Sequence, residues 1–225
     1  MTEDAPAPLR VLVVDDHDLF RTGLRRLLEE EEGLEIVGEA NRGDLAVERA
    51  AELRPDVVVM DVNMPGMTGV EATRLVLERS PGSSILMLTV ANEDSLVLDA
   101  VLAGASGYLL KDAQLDDIIR GIRAAAAGHS LIAPSVAGNL LAQLRRRGPP
   151  EAPPQAASDL SARELDVLRL VVAGCENSEI AQRLHLSPST IKHHVSSTLD
   201  KLGVDNRIQA AVLAVRLGIV DERSA

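Results

Sequence analysis

Tryptophan is absent from this 225-residue chain, and Phe20 and Tyr108 are its single phenylalanine and single tyrosine. Cysteine is as scarce: a lone Cys175 excludes an internal disulfide and fits a reducing compartment. Its neighbours Gly174 and Glu176 bring no positive charge that would activate a thiolate, so Cys175 reads as a small packing residue. No apolar run approaches the ~20 residues of a membrane span. The start, Met1-Thr-Glu-Asp-Ala-Pro6, lacks the basic and apolar regions of a signal peptide. A cytoplasmic protein with no membrane association is expected. An excess of basic charge is missing too. The net charge of −11 argues against a nucleic-acid binder whose charge is spread evenly.

The distribution changes that argument. Residues 1–130 hold 12 basic and 24 acidic residues, residues 131–157 hold 3 and 1, and residues 158–225 hold 8 and 9. The C-terminal part is therefore near neutral. DNA binding there would have to rely on a local basic face and on dimerisation.

What is present is a regular alternation. Apolar runs alternate with amphipathic stretches from Arg10 to Ala127. The pattern predicts strands over 10–14, 34–38, 57–60, 84–88 and 107–110. Helices are predicted over 18–30, 42–53, 68–79, 93–103 and 115–127. Such alternation means a doubly wound parallel α/β sheet of five strands with right-handed crossovers. Residues 135–145 read as a helix. The stretch Arg145 to Ser158 carries four prolines and reads as an extended linker, its triple arginine a solvated helix end.

Polar groups stand just past four of the apolar runs. Asp15 and Asp16 follow Val11-Leu-Val-Val14, Asp61 follows Val57-Val-Val-Met60, Thr89 follows Ile85-Leu-Met-Leu88, and Lys111 follows Tyr108-Leu-Leu110. In a parallel sheet all of these emerge at one carboxyl edge, where open α/β sheets place their ligands. Carboxylates, a hydroxyl and an ammonium meeting there suit a divalent cation and a phosphoryl group. Asp61 can act as a nucleophile on phosphorus, Asp15 and Asp16 can ligate Mg²⁺, and Lys111 and Thr89 can contact phosphoryl oxygens. A single Asp after a strand is commonly only a helix cap, and Asp18 and Asp112 read as such. Four matching groups after four strands are harder to explain that way.

These residues, with Ala103-Gly-Ala-Ser-Gly-Tyr-Leu-Leu-Lys-Asp112, make residues 10–127 resemble a response-regulator receiver domain, a flavodoxin-like fold. The resemblance is closest to the subgroup that carries a LuxR-type helix-turn-helix, the NarL/FixJ family. It implies phosphorylation of Asp61 by a sensor histidine kinase. It also implies Mg²⁺ held by Asp16, Asp61 and the backbone carbonyl of Asn63, with Asp15 assisting. Thr89 and Tyr108 match the family's switch pair and Lys111 its phosphate-contacting lysine. Without the resemblance, Tyr108 would read as a half-buried edge-strand residue. Val90, after Thr89, is bulkier than the residue many receivers carry there.

Beyond the linker the pattern is helical throughout. Ser161-Ala-Arg-Glu164 is a capping box, Asn177 reads as the cap of a helix over 178–184, and Ser187-Pro188 opens a helix over 188–202 that Gly203 ends. A last helix is expected over 205–217. The spacing of the second and third helices is that of a helix-turn-helix, and the segment resembles a LuxR-type four-helix DNA-binding domain. Ser187, Ser189, Thr190, Lys192, His193 and Ser196 are its candidate DNA contacts, with Ile191, Val195 and Leu199 the buried stripe. The resemblance supports Lys192 and His193, whereas Ser196 departs from the basic residue of some relatives. Histidines 185, 193 and 194 lack metal-finger spacing.

The expected organisation is a receiver over 8–128, a linker over 129–157 and a DNA-binding domain over 158–223. The expected protein is not an enzyme but a regulator. Phosphorylation promotes its homodimerisation and its binding to double-stranded promoter DNA. Two rivals stand beside this: an Mg²⁺-dependent phosphohydrolase with Asp61 as nucleophile, for which no general acid is evident, and a regulator independent of phosphorylation, for which the complete acidic cluster is unexpected.

Overall fold

The computed structural model describes residues 7–90, 96–132, 140 and 159–219, and the chain divides into two compact units, Met1–Leu140 and Leu141–Ala225. The elements of the first unit are β1 (Leu9–Val14), α1 (Asp18–Glu29), β2 (Leu34–Ala40), α2 (Gly43–Leu53), β3 (Val57–Asp61), α3 (Gly69–Arg79), β4 (Ser84–Thr89), α4 (Val97–Leu102), β5 (Gly107–Leu110), α5 (Leu115–Ala126) and β6 (Leu131–Ile132). The second unit holds α6 (Ala162–Val172), α7 (Asn177–Leu184), α8 (Pro188–Leu202) and α9 (Arg207–Arg216).

All strands run parallel in the order β2-β1-β3-β4-β5-β6. The chain reverses its winding between β1 and β3, and open α/β sheets place their ligands beyond the carboxyl ends of the strands at such a point. β1, β3 and β4 are buried on both faces, so they read as unbroken Val/Ile/Leu/Met runs rather than as an alternation. Alternate residues take opposite faces. Val11, Val13, Val57, Val59, Leu86 and Leu88 pack with Leu24 and Leu28 of α1 and with Ile118, Ile119 and Ile122 of α5. Full burial of each such side chain contributes roughly 1.5–3 kcal/mol.

The sheet has six strands where the sequence predicted five. β6 is two residues long, too short for any period to register. Gly128, at φ +73°, and the bond from His129 N–H to the Ala124 carbonyl close the end of α5 and return the chain beside β5. Leu131 and Ile132 then pair with Gly107 and Tyr108. The edge position expected for Tyr108 is thereby covered, and its side chain is fully buried.

Two expected caps are not caps. His17 precedes α1 without a side-chain bond, and Asp18 is the first helical residue, paired with Arg21 at 2.6 Å. Gln114, not Asp112, precedes α5. The predicted helix 135–145 and the proline-rich linker lie outside the described residues apart from Leu140, as do 93–95 at the start of the fourth predicted helix.

In the second unit Ser161 and Glu164 form the expected capping box. Glu176, not Asn177, sits at the N-cap of α7, its N–H bonded to Glu179 at 2.9 Å. His185 ends that helix in the left-handed conformation (φ 54°), and Ser187 caps α8. α9 starts at Arg207 because the Asn206 side chain accepts from the N–H groups of Ile208 and Gln209, both at 3.0 Å. Cys175 packs among Val167, Val171, Ile180 and Ile191, as a small core residue should.

Glu164 also crosses to α8. Its carboxylate accepts from Ser197 and Lys201, each at 2.7 Å, while still capping α6. Lys201 and Ser197 hold this carboxyl down at about 2, below its ordinary 4.5. The bonds therefore stabilise the folded state fully above pH 4.5 and are lost as pH falls through about 2. Glu164→Gln is expected to lower the melting temperature of the second unit at pH 7. The gap from wild type should narrow below pH 4.5 and close near pH 2, read by thermal melts across that range.

Candidate functional site

At the carboxyl edge of the first unit, β1, β3, β4 and β5 deliver Asp15, Asp61, Thr89 and Lys111 to one place. The register aligns Asp61 with Leu88 and Thr89 with Leu110, so successive strand ends step past one another by single residues. Asp15 and Asp61 are buried, and Asp16 is exposed. The Lys111 Nζ lies 2.7 Å from Asp15 Oδ2 and 2.9 Å from Asp61 Oδ2. Burial raises the Asp61 carboxyl to about 6; Lys111 pulls it down, and Asp15 and Asp16 push it up. Burial alone would lower Lys111, but its bonds to Asp15 and Asp61 outweigh that and raise it.

One carboxylate oxygen from each of Asp15, Asp16 and Asp61 lies within 4.8 Å of the others. Such a set of hard oxygen donors, with Asp16 open to solvent, fits Mg²⁺, which takes few carboxylates and keeps several waters. Asn63 is exposed two residues beyond β3, and Met64 after it is buried. Thr89 is buried, its hydroxyl 3.4 Å from the Val90 carbonyl oxygen. Tyr108 is buried on the adjacent strand, opposite Met87.

Other residues hold this constellation and were not singled out by the sequence reading. Arg21 donates to the Asp15 backbone carbonyl at 2.7 Å and pairs with Glu39 of β2 at 3.3 Å, tying the β1–α1 loop down. Asp15 Oδ1 accepts the His17 N–H at 2.9 Å. The Lys111 Nζ stands 5.0 Å from the centroid of the Phe20 ring. Gly69 opens α3 with its N–H on the Val62 carbonyl (2.8 Å), and a methyl group there would collide with the Asp61 carbonyl oxygen. A methyl at Gly43 would stand 2.6 Å from the Met67 carbonyl oxygen. These two glycines let α2 and α3 close on the loop that follows Asp61. In the sequence each is only one glycine among sixteen.

In the second unit the candidate contacts fall on α8. Ser189, Lys192, His193 and Ser196 are exposed at positions i, i+3, i+4 and i+7, so they share one face. Ile191 is fully buried on the opposite side, with Val195 and Leu199 packed against the two core clusters. Ser187 is exposed but engaged: its hydroxyl accepts the Thr190 N–H at 3.1 Å and lies 2.8 Å from both the Ser189 and Thr190 hydroxyls. Thr190 is half-buried. The His193 and His194 rings lie 6.3 Å apart and tilted, and among the described residues no metal-binding group includes them.

An acidic cluster paired with a lysine at the edge of a doubly wound sheet, followed by a helix-turn-helix unit, is the arrangement of a DNA-binding regulator. The profile of the response regulator receiver domain matches residues 11–123, and that of the bacterial regulatory proteins of the luxR family matches residues 158–214. The chain is 38% identical to the transcriptional regulatory protein LnrK of Bacillus subtilis over 216 residues, covering 94% of this chain and 98% of LnrK. It is 40% identical to the response regulator GacA of Pseudomonas aeruginosa over 217 residues, covering 96% and 100%. Among solved structures, the response regulator ChrA of a heme-sensing two-component system aligns with a TM-score of 0.53 at 36% identity, covering 95% of this chain and 99% of that one. The RcsB–DNA complex aligns with a TM-score of 0.56 at 27% identity, covering 93% and 99%. The chain thus belongs to the response regulators that join a receiver domain to a LuxR-type DNA-binding domain, the NarL/FixJ family, and is a phosphorylation-dependent regulator of transcription. No helix among the described residues is long and apolar enough to cross a membrane.

Gly69→Ala is expected to push the end of β3 away from α3. Overpacking of this kind costs about 1–3 kcal/mol. Urea unfolding should report that loss, and the rate of phosphoryl labelling should fall with it.

Proposed function

We propose that this chain is a cytoplasmic two-component response regulator in which Asp61 takes a phosphoryl group from a sensor histidine kinase and so promotes dimerisation and binding to promoter DNA. The observation that carries the reading is the buried Asp61 carboxylate, 2.9 Å from Lys111 and grouped with Asp15 and Asp16 at one sheet edge. The receiver spans 8–128 and the DNA-binding domain 158–223, with 129–157 between them.

An oxygen of Asp61 attacks phosphorus in line as the donor's bond to phosphorus breaks, the leaving group keeping the electron pair. Asp15, Asp16, Asp61 and the Asn63 carbonyl would hold Mg²⁺, which when bound offsets negative charge between Asp61 and the phosphoryl oxygens. Lys111 exchanges its Asp61 partner for a phosphoryl oxygen, as a mobile point charge suits. Thr89 donates its hydroxyl to another oxygen, and the space it leaves admits Tyr108. The neighbouring β4–β5–α4 face then changes shape, a local charge event with a wider readout.

The exposed face of α8 enters the major groove. Lys192 reaches a guanine edge or a phosphate, His193 a base edge, and Ser189 and Ser196 flank them. Ser187 caps the first turn through the Thr190 N–H, and the Ser187 and Thr190 hydroxyls stand at the helix start to meet phosphate. Val215 and Leu217 of the last helical segment are half-buried and supply a contact between copies on DNA. Pairing doubles the phosphate contacts, which a near-neutral domain needs.

Incubation of the full chain with Mg²⁺ and acetyl phosphate should add one phosphoryl group by intact mass, and Asp61→Asn should gain none. Equal labelling of both proteins, or of neither, would overturn the assignment. Lys192→Ala should weaken binding to a selected duplex by roughly 1–3 kcal/mol. Unchanged binding would remove α8 from the interface.

A further inference from the structure

The lone phenylalanine stands beside the phosphoryl site and has no part in the chemistry so far derived. We propose that Phe20 is a positioning residue for phosphoryl transfer: its ring face holds the Lys111 ammonium at the mouth of the site. This rests on the reading of Asp61 as phosphoacceptor and adds a residue to it.

Lys111 ends β5 on a four-carbon stem, a flexible side chain whose ordering is entropically costly. Two carboxylates fix one side of its ammonium, at 2.7 and 2.9 Å. The Phe20 ring meets it from α1 at 5.0 Å, within the ~6 Å at which a ring quadrupole attracts a cation. The ring is itself well placed to stay put. Phe20 packs against the core of the sheet, and its neighbour Arg21 anchors α1 to the Asp15 carbonyl. An open cleft beside the site is lined by His17, Phe20, Val90, Lys111 and Asp112, so ring and ammonium together face open space large enough to admit a donor.

The ring contact differs in kind from the carboxylate contacts. When the Asp61 oxygen bonds to phosphorus and the donor's bond breaks, Lys111 must release Asp61 and follow a phosphoryl oxygen. A third carboxylate would compete for the ammonium at that moment. A ring face attracts it without a directed hydrogen bond, so it limits the swing of the side chain into water and leaves the exchange of oxygens free. The contact then favours the transition state by holding the charge where the phosphoryl group arrives. A residue that merely filled space against the sheet would be replaced equally well by leucine.

That difference supplies the test. Full-length wild type, Phe20→Leu and Phe20→Tyr would be labelled with Mg²⁺ and acetyl phosphate, with rates followed by intact mass and melting temperatures measured beside them. The Lys111 ε-methylene protons would be observed by NMR in wild type, independently of any variant. Phe20→Leu is expected to slow labelling about threefold to tenfold, with Phe20→Tyr restoring it and all three proteins melting alike. The Lys111 methylene protons should be shifted upfield by the ring current in wild type. Equal rates in all three, equal slowing by Leu and Tyr, or methylene protons at their ordinary position in wild type would each overturn the proposal. Wild type that takes no phosphoryl group would overturn the Asp61 reading and this inference with it; labelled wild type matched by Phe20→Leu would overturn the inference alone.

Discussion

Two buried carboxylates share one ammonium at the edge of the sheet, and the organisation of the first unit follows from that pairing. Ionised carboxylates taken out of water cost several kcal/mol each unless paired. Lys111 offsets part of that cost for Asp15 and Asp61, the Asp61 carboxyl still standing at about 6, and neither β1 nor β3 could supply the ammonium itself, so β1, β3 and β5 end at the same level. Parallel pairing enforces that level. The glycines at 43 and 69 let the flanking helices approach closely enough to hold it. On the proposed function, the same pairing leaves Lys111 placed to exchange the Asp61 carboxylate for an arriving phosphoryl oxygen.

The second unit uses charge in the opposite way. Its net balance is close to neutral, and part of its basic charge is tied up internally: Lys201 on Glu164, and half-buried Arg207 with its guanidinium 2.6 Å from the Cys175 carbonyl. Burial depresses Arg207 from its usual range, with Glu176 opposing. On the proposed function, the exposed stripe on α8 around Lys192 meets the DNA, with Arg183 of α7 exposed as well. Such a stripe would bind weakly by itself, and the proposed pairing of two copies would then control affinity.

The sheet, the described helices and the four strand-end groups were legible in the sequence because each rests on a strong local signal: an unbroken apolar run, a capping box, a polar residue at a run's end. β6 was not, since two residues carry no period and its pairing with β5 depends on a turn closed by Gly128. The caps assigned to Asp18, Asp112 and Asn177 failed for a shared reason. Each lies within one or two residues of the true N-cap, and backbone geometry, not composition, selects which residue that is. Phe20, Arg21, Gly69 and the Glu164–Lys201 tie depend on contacts between distant segments, which no spacing along the chain reports. The shared face of Ser189, Lys192, His193 and Ser196 was implicit in helical spacing, whereas the engagement of the Ser187 hydroxyl in capping was not.

On the proposed function, chemistry at Asp61 governs DNA binding by a separate unit. The direct measurement is the affinity of the full chain for a duplex selected from random-sequence DNA, with and without phosphorylation, at one fixed salt concentration. The account predicts tighter binding by the phosphorylated chain, with a salt dependence steepened by the second copy, and no gain for Asp61→Asn. Equal affinity for the phosphorylated and unphosphorylated chains would contradict it.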